Sequence, residues 1–484
     1  MIEHSLFRRM PGRMLLMLLM ISLTCLLFPG LGGRDRAEAG AANRLAVAPT
    51  APTAPIAPAA IPAAESWTFL PPDWMTGAGH VFSWNSALRK EATEAGHLVA
   101  IDEASALAAL QAEKSKIDVF AVGAQLSGNA TFAIPFPVAK AAYERSGADG
   151  ALLLASSSGS IMLPLSLLAD NDALEGAGDV LASIQTTGEE IDRVPALADA
   201  QGLRHVDDTP VAEFRLVVRT NGEEREISDF GRTFVQSTIA LGRPVFDMAS
   251  TAEFLAGQRD NGVPRFGFAP TRFFKDSDGT LHAIVNRSGN GVYVLASRKA
   301  AFRDLIAHWS RPAVDRLAET GIVNGRTPEC FGPDAPITRS EFVAMLVRGL
   351  GLQDKTGSGN YSDVAEGNWF ASDVRIAAAY GLVSGYGGKF SPQVGLNRQE
   401  LAVLLANALR LAKPGAVWNA ATLDGYSKED QPAGWAAPSM SVVLGEELFG
   451  GLLAGRLEPR GIVTRGEAAV SLELLLRKLG FIYS

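Results

Sequence analysis

Arg339, Arg398 and Arg465 each occupy the first turn of a candidate helix, just after a residue suited to cap it: Thr338, Asn397 or Thr464. Glu341, Glu400 and Glu467 stand three residues beyond those caps, the spacing of a capping box. The first helical turn already carries positive potential from its N–H groups and its dipole, so a cation gains nothing there from the helix itself. An anion beside it would gain twice, from a planar guanidinium fork and from free backbone N–H groups. The alternative partner is a nearby Asp in a salt bridge. Recognition of an anion is the chemistry this pattern predicts.

The elements that must position these arginines repeat at a period of about 60 residues from residue 299 onward. Trp309, Trp369 and Trp435 mark the three units, and Gly325, Gly385 and Gly451 each stand sixteen residues after their Trp. "FRD" ending at Asp304 and "YSD" ending at Asp363 precede the first two Trp residues. Pro312 and Pro438 suit the first turn of a short helix, and Gly321 and Gly381 suit the position just past its end. A loop then leads to the capped helix, whose apolar face includes Phe342, Val343 and Leu346, or Leu401, Leu404, Leu405 and Leu409, or Val470, Leu472, Leu475 and Leu476. One helix pair cannot bury so much surface alone, so three units should pack together. The marked residues each carry two readings. The Trp residues either anchor a unit's core or face a ligand, the Asp residues either cap and pair or bind, and the glycines either serve the backbone or let a ligand approach. Repeat three departs twice, with Lys428 at the expected Asp position and Glu447 in place of the glycine.

The whole chain sets bounds. Its 484 residues are 47% hydrophobic and 20% charged, enough to fold as several domains. A net charge of −8 argues against a general nucleic-acid binder. Arg8, Arg9 and Arg13 precede an apolar run from Met14 to Phe28, and Ala37-Glu38-Ala39 offers small residues around a cut. Residues 1–39 therefore read as a secretory signal, leaving no membrane segment after cleavage; an uncleaved anchor is the alternative. Only Cys25 and Cys330 are present, so a processed chain has no internal disulfide. Residues 40–65 form a Pro/Ala-rich linker that favours extended polyproline II.

Residues 66–298 read as an α+β ectodomain, mostly antiparallel, of two modules meeting near 208. "SALRKEATEAGHLV" and "FPVAKAAYERSG" have helical character. "ALLLASSSGSIMLPL" reads as strand, turn, strand, and Asn221-Gly222 and Asp278-Gly279 are hairpin turns. No G-x-S-x-G elbow, P-loop or H-E-x-x-H motif occurs, and the six histidines show no metal-ligand spacing. No catalytic residue, metal site or cofactor is expected, and the Glu189–Glu190–Asp192 cluster reads as solvated loop acids.

"AHWSRPAVDRLAETGIVNG…FGPDAPITRSEF" resembles an S-layer homology repeat, and two more follow, at 299–353, 358–412 and 423–482. The segment before them is similar to one found ahead of such repeats in surface proteins of Paenibacillus-like bacteria. The resemblance implies an all-α pseudo-threefold bundle with grooves between three lobes. It implies non-covalent anchoring to a secondary cell wall polymer bearing pyruvylated amino sugars, on a secreted, Gram-positive-type cell-wall or S-layer protein beside other surface-layer proteins. The arginines would take the ketal carboxylate, for which a guanidinium fork suits better than Lys. The Trp, Asp and Gly landmarks would line the glycan site. No catalysis is required; the competing reading is a wall-anchored glycan hydrolase with its centre in 66–298.

Overall fold

The computed structural model describes residues 80–482, except 170–173, 175–177, 228–229, 243–250, 261–262, 278, 354–360 and 451–455. The signal, the Pro/Ala linker and Gly451 lie outside the described residues. What is described is a mixed α/β domain, mostly sheet, with helices at the C-terminal end.

Two sheets make the first part. One runs in the order Val81–Ser83, Val119–Gly123, Ala151–Ser156, Gly159–Pro164, Val235–Gly242, Leu281–Arg287, Thr271–Lys275. The other runs Val263–Phe268, Thr251–Asp260, Gly291–Ser297, Ala212–Thr220, Asp179–Gln185, Ala130–Pro135, Gly96–Ile101, Leu88–Thr93. Antiparallel pairs dominate, with three parallel pairings in the N-terminal half. Helices α1 (Glu103–Ala112), α2 (Phe136–Ser146), α3 (Leu165–Ala169) and α4 (Glu189–Ala200) complete it. Ala212–Thr220 shows why such segments become strands. Ala212, Phe214, Leu216 and Val218 alternate into the core, while Arg215 and Arg219 alternate outward to Glu226 and Glu224. Asn221 and Gly222 make the hairpin turn with φ of 53° and 86°, the left-handed pair such a turn needs.

Two expectations are corrected here. "SALRKEATEAGHLV" is not a helix but the antiparallel pair Leu88–Thr93 and Gly96–Ile101. Its helix-forming Arg, Lys and Glu sit on an exposed edge strand, where charge blocks further pairing, and sheet context overrides propensity. Nor is there a module boundary near 208. Asp179–Gln185 pairs with Ala212–Thr220, Gly159–Pro164 pairs with Val235–Gly242, and one core runs from Trp84 to Leu295.

The C-terminal helices come as short and long pairs: α5 (Arg311–Glu319) and α6 (Arg339–Gly349), α7 (Ala371–Ala379) and α8 (Arg398–Ala412), α9 (Ala437–Gly445) and α10 (Arg465–Leu479). One apolar cluster runs through all six, from Val314 and Leu346 through Leu405 to Leu472 and Leu476. The segments entering the long helices close on one another. The amide of Ile337 donates to the carbonyl of Val463 (3.0 Å), Val463 to Leu396 (2.8 Å), and Leu396 back to Ile337 (2.9 Å). Each unit thus depends on both others, and the starts of the three long helices converge. The α/β domain docks onto these helices through the Thr271 amide to the Phe481 carbonyl (2.8 Å) and through Phe234 against Phe481.

The short helices end alike, with Gly321 and Gly381 at φ of 74° and 72°. Glu447 takes the same turn at φ 59°, with its side chain exposed. Glu447→Gly should therefore stabilise the chain by about 1 kcal/mol, since only the left-handed strain of a side-chain-bearing residue is removed. An unchanged or lower urea midpoint would contradict this.

Candidate functional site

Each long helix opens with a reciprocal capping box. The Thr338 amide donates to Glu341 Oε2 (2.8 Å), and the Glu341 amide donates back to Thr338 Oγ1 (3.2 Å). Asn397 with Glu400, and Thr464 with Glu467, repeat the pattern. Only one carboxylate oxygen of each Glu is used in its own box. The other faces the arginine of a neighbouring unit. Arg465 donates to Glu341 Oε1 (3.0 Å), Arg398 donates to Glu467 Oε1 (2.9 Å), and Arg339 lies 3.9 Å from Glu400 Oε1. The cation in the first turn is thus answered by a capping glutamate of the next unit, around a closed ring.

The three arginines are not equally engaged. Arg465 is 4% exposed and stacks on Phe331 at 4.6 Å; its remaining nitrogens donate to the carbonyls of Phe331 (3.0 Å) and Asn324 (2.9 Å). Burial pushes its guanidinium below the usual arginine value, against the pull of Glu341. Arg398 has a second carboxylate, Glu458, at 2.8 Å; burial works against its charge, but Glu467 and Glu458 outweigh it and the net shift is upward. Arg339 is the least neutralised. It lies over Phe390 at 5.1 Å, donates once to the Ser384 carbonyl (3.1 Å), and its buried Nε has no hydrogen-bond partner among the described residues.

The backbone N–H groups expected to help hold an anion are already taken. The amides of Arg339 and Ser340 donate to the carbonyls of Val394 (3.0 Å) and Pro392 (3.1 Å). Those of Arg398 and Gln399 go to Gly461 and Pro459, and those of Arg465 and Gly466 to Ala335 and Pro333. The helix N-termini are consumed in joining the units, which leaves the guanidinium alone for a ligand.

Asp304 and Asp363 are engaged by the fold. Asp304 accepts from the amides of Phe331 (3.0 Å) and Gly332 (2.7 Å), and Asp363 from those of Phe390 and Ser391 (2.8 Å each). Gly332 and Ser391 have φ of 74° and 61°, so each carboxylate sits in a concave pair of backbone N–H groups. The third unit does the same with Asp430, which accepts from Leu457 (2.7 Å) and Glu458 (2.6 Å). Asp430, not Lys428, is therefore the equivalent residue, and the expected departure at Lys428 is withdrawn. The signal was in the sequence: Asp430 stands five residues before Trp435, as Asp304 does before Trp309.

Desolvation raises the Asp304 and Asp363 carboxyls, but the backbone donors outweigh it and both lie below the usual carboxylate value. A carboxylate depressed in the folded state contributes stability above its unfolded value, and that contribution fades as pH falls toward the folded one. The melting midpoint should therefore fall as pH drops from about 5 through the usual carboxylate value of about 4 and below it, less steeply in Asp304→Asn and Asp363→Asn, which start lower. Parallel pH profiles in wild type and variants would refute this.

Gly325 and Gly385 serve packing. A Cβ on Gly325 would meet Phe302 at 2.5 Å and the Thr327 carbonyl at 2.3 Å; one on Gly385 would meet Tyr361 at 2.4 Å and the Lys389 carbonyl at 2.5 Å. The Trp residues stand apart from all of these. Trp309, Trp369 and Trp435 are 52%, 61% and 61% exposed, while the residues after them, Ser310, Phe370 and Ala436, are buried and hold the start of each short helix. Among the described residues no group of three or more His, Cys, Asp or Glu is placed to hold a metal.

Capped helix pairs that share one core and close on one another define a repeat module, on which Trp309, Trp369 and Trp435 are exposed. The S-layer homology domain model matches residues 301–343 and 360–402, and the chain carries two such cell-surface anchoring repeats there. The chain is similar to an amylopullulanase of Thermoanaerobacterium thermosulfurigenes, 28% identical over 42% of this chain and 11% of that protein. It is similar to an S-layer protein of Bacillus thuringiensis subsp. finitimus, 27% identical over 36% of this chain and 21% of that protein. A surface layer protein of Brevibacillus choshinensis is 37% identical over 20% of this chain and 9% of its own length. The chain spans about a fifth or less of the length of these relatives. Names of enzymes and of S-layer proteins both occur among these relatives.

Proposed function

We propose that the chain is an exported surface protein that attaches non-covalently to a secondary cell wall polymer carrying pyruvylated amino sugars. In this reading 299–353, 358–412 and 423–482 are three S-layer homology repeats forming a pseudo-threefold bundle, and 66–298 is displayed from it on a Gram-positive-type wall. The closed ring of backbone bonds and the matching roles of Asp304, Asp363 and Asp430 support a third repeat. The observation that carries the binding reading is the exposure of Trp309, Trp369 and Trp435. A solvent-facing indole at the same place in each unit contributes little to a core and suits stacking on a sugar ring. Arg339 supplies the least compensated cation for a ketal carboxylate, whereas Arg398 and Arg465 join neighbouring units and Asp304, Asp363, Gly325 and Gly385 serve packing within their own units.

The test is sedimentation of the full chain with purified cell walls before and after the secondary polymer is extracted. Binding should be lost with the polymer. Equal sedimentation with extracted walls would overturn the reading.

A further inference from the structure

Of the C-terminal helices among the described residues, α5, α6, α7 and α10 end against the segments that build the two sheets. Just past their ends stand Gly321, Gly351, Gly381 and Gly480, with φ of 74°, 60°, 72° and 70°. A Cβ on Gly321 would stand 2.9 Å from Arg298 Nη1, and one on Gly381 2.9 Å from Arg232 Nη2. One on Gly351 would meet Pro270 Cδ at 2.4 Å, and one on Gly480 the stem of Arg272 at 3.9 Å. Three of these four neighbours are arginines. A helix C-terminus carries unsatisfied carbonyls and the negative end of the dipole, so a cation laid across it is favoured. Inside this rim the contact is apolar. Phe268, 5% exposed, belongs to the same cluster as Leu346 and Leu350, and Phe234 packs on Phe481 at 5.4 Å. Arg287 is buried beside them, 6.0 Å from the Tyr293 ring. Gln353, just past α6, turns its amide oxygen to Arg287, and Tyr380, at the end of α7, is close enough to act on its charge. Burial pushes this guanidinium down to about 10, so it stays a cation at neutral pH. One buried cation of the α/β domain thus engages units one and two together.

We propose that the α/β domain is the cap of the helical repeats: it closes the C-terminal ends of their helices and holds the units in register, so that sheets and helices form one cooperative unit. An apolar centre with a buried Arg and Tyr, inside a charged rim, is the anatomy of a permanent interface and not of a module tethered by a linker. The cap also fixes which end of the helices stays open. Trp309 and Trp369 stand just before α5 and α7, and Arg465 opens α10. At 1.5 Å per residue they lie roughly 20 Å along these helices from the capped ends. The docked domain therefore leaves the indoles uncovered, in keeping with their exposure.

The test is urea unfolding of the full chain, read by hydrogen exchange at amides of the sheets and of the helices separately. Both sets should lose protection at the same urea concentration, the mark of one cooperative transition. Arg232→Glu with Arg272→Glu and Arg298→Glu places three carboxylates on helix C-termini, at positions that are exposed or half-buried. The two sets of amides should then part, with distinct midpoints for sheets and helices. Phe234→Glu, half-buried against Phe481, should separate them in the same way without touching a helix end, and covers the case that the triple variant fails to fold. Separate midpoints already in the wild-type chain, or midpoints that still coincide in the variants, would overturn the proposal.

Discussion

Arg465→Ala should destabilise the chain by about 3–5 kcal/mol, the cost of breaking one partner out of a buried ion pair. Arg465 is 4% exposed, and its guanidinium meets a carboxylate, two carbonyls and an aromatic face. Its loss leaves Glu341 short of a cation and two carbonyls short of a donor. It also opens the contact by which the third unit grips the first. Arg339→Ala removes a guanidinium 3.9 Å from its carboxylate with one carbonyl bond, and should cost only about 1 kcal/mol or less. Denaturant unfolding of the two variants side by side measures the contrast. Equal losses would show that the ring of arginines and capping glutamates does not hold the units as the geometry implies.

Trp309→Ala combined with Trp369→Ala should lower affinity for purified walls by roughly 10²-fold or more, with little change in stability. Truncating an aromatic anchor at a binding face costs about 2 kcal/mol or more, and each 1.4 kcal/mol is tenfold. Both indoles are more than half exposed, so little burial is lost with them. A double variant that unfolds earlier but still sediments with walls would place these residues in the core's service instead.

Much of the helical region was legible in the sequence because its determinants are local. Thr338 and Glu341 are three residues apart, and the capping box they form needs no knowledge of the rest of the fold. The arginine in the same turn was not, because its partner is distant. Arg465 and Glu341 are separated by 124 residues, and only closure of the third unit onto the first brings them together. A salt bridge was foreseen as an alternative, but to an Asp; the second oxygen of a capping Glu has no local signature. Asp430 was missed through counting from Lys428 when the distance to Trp435 gave the register. In the α/β domain the hairpin at Asn221-Gly222 declared itself through its turn residues. "ALRKEAT" did not, since Ala, Leu, Arg, Lys and Glu favour a helix and only a neighbouring strand makes them an edge.

Arg339 is the least compensated of the three ring arginines, and the three indoles are exposed. The most direct measurement is calorimetric titration of the full chain with a pyruvylated amino sugar and with the same sugar lacking the ketal. The ketal-bearing sugar should bind at least about tenfold more tightly, since only it supplies the carboxylate for a guanidinium fork. Equal affinities, or no binding of either, would contradict attachment through a pyruvylated glycan.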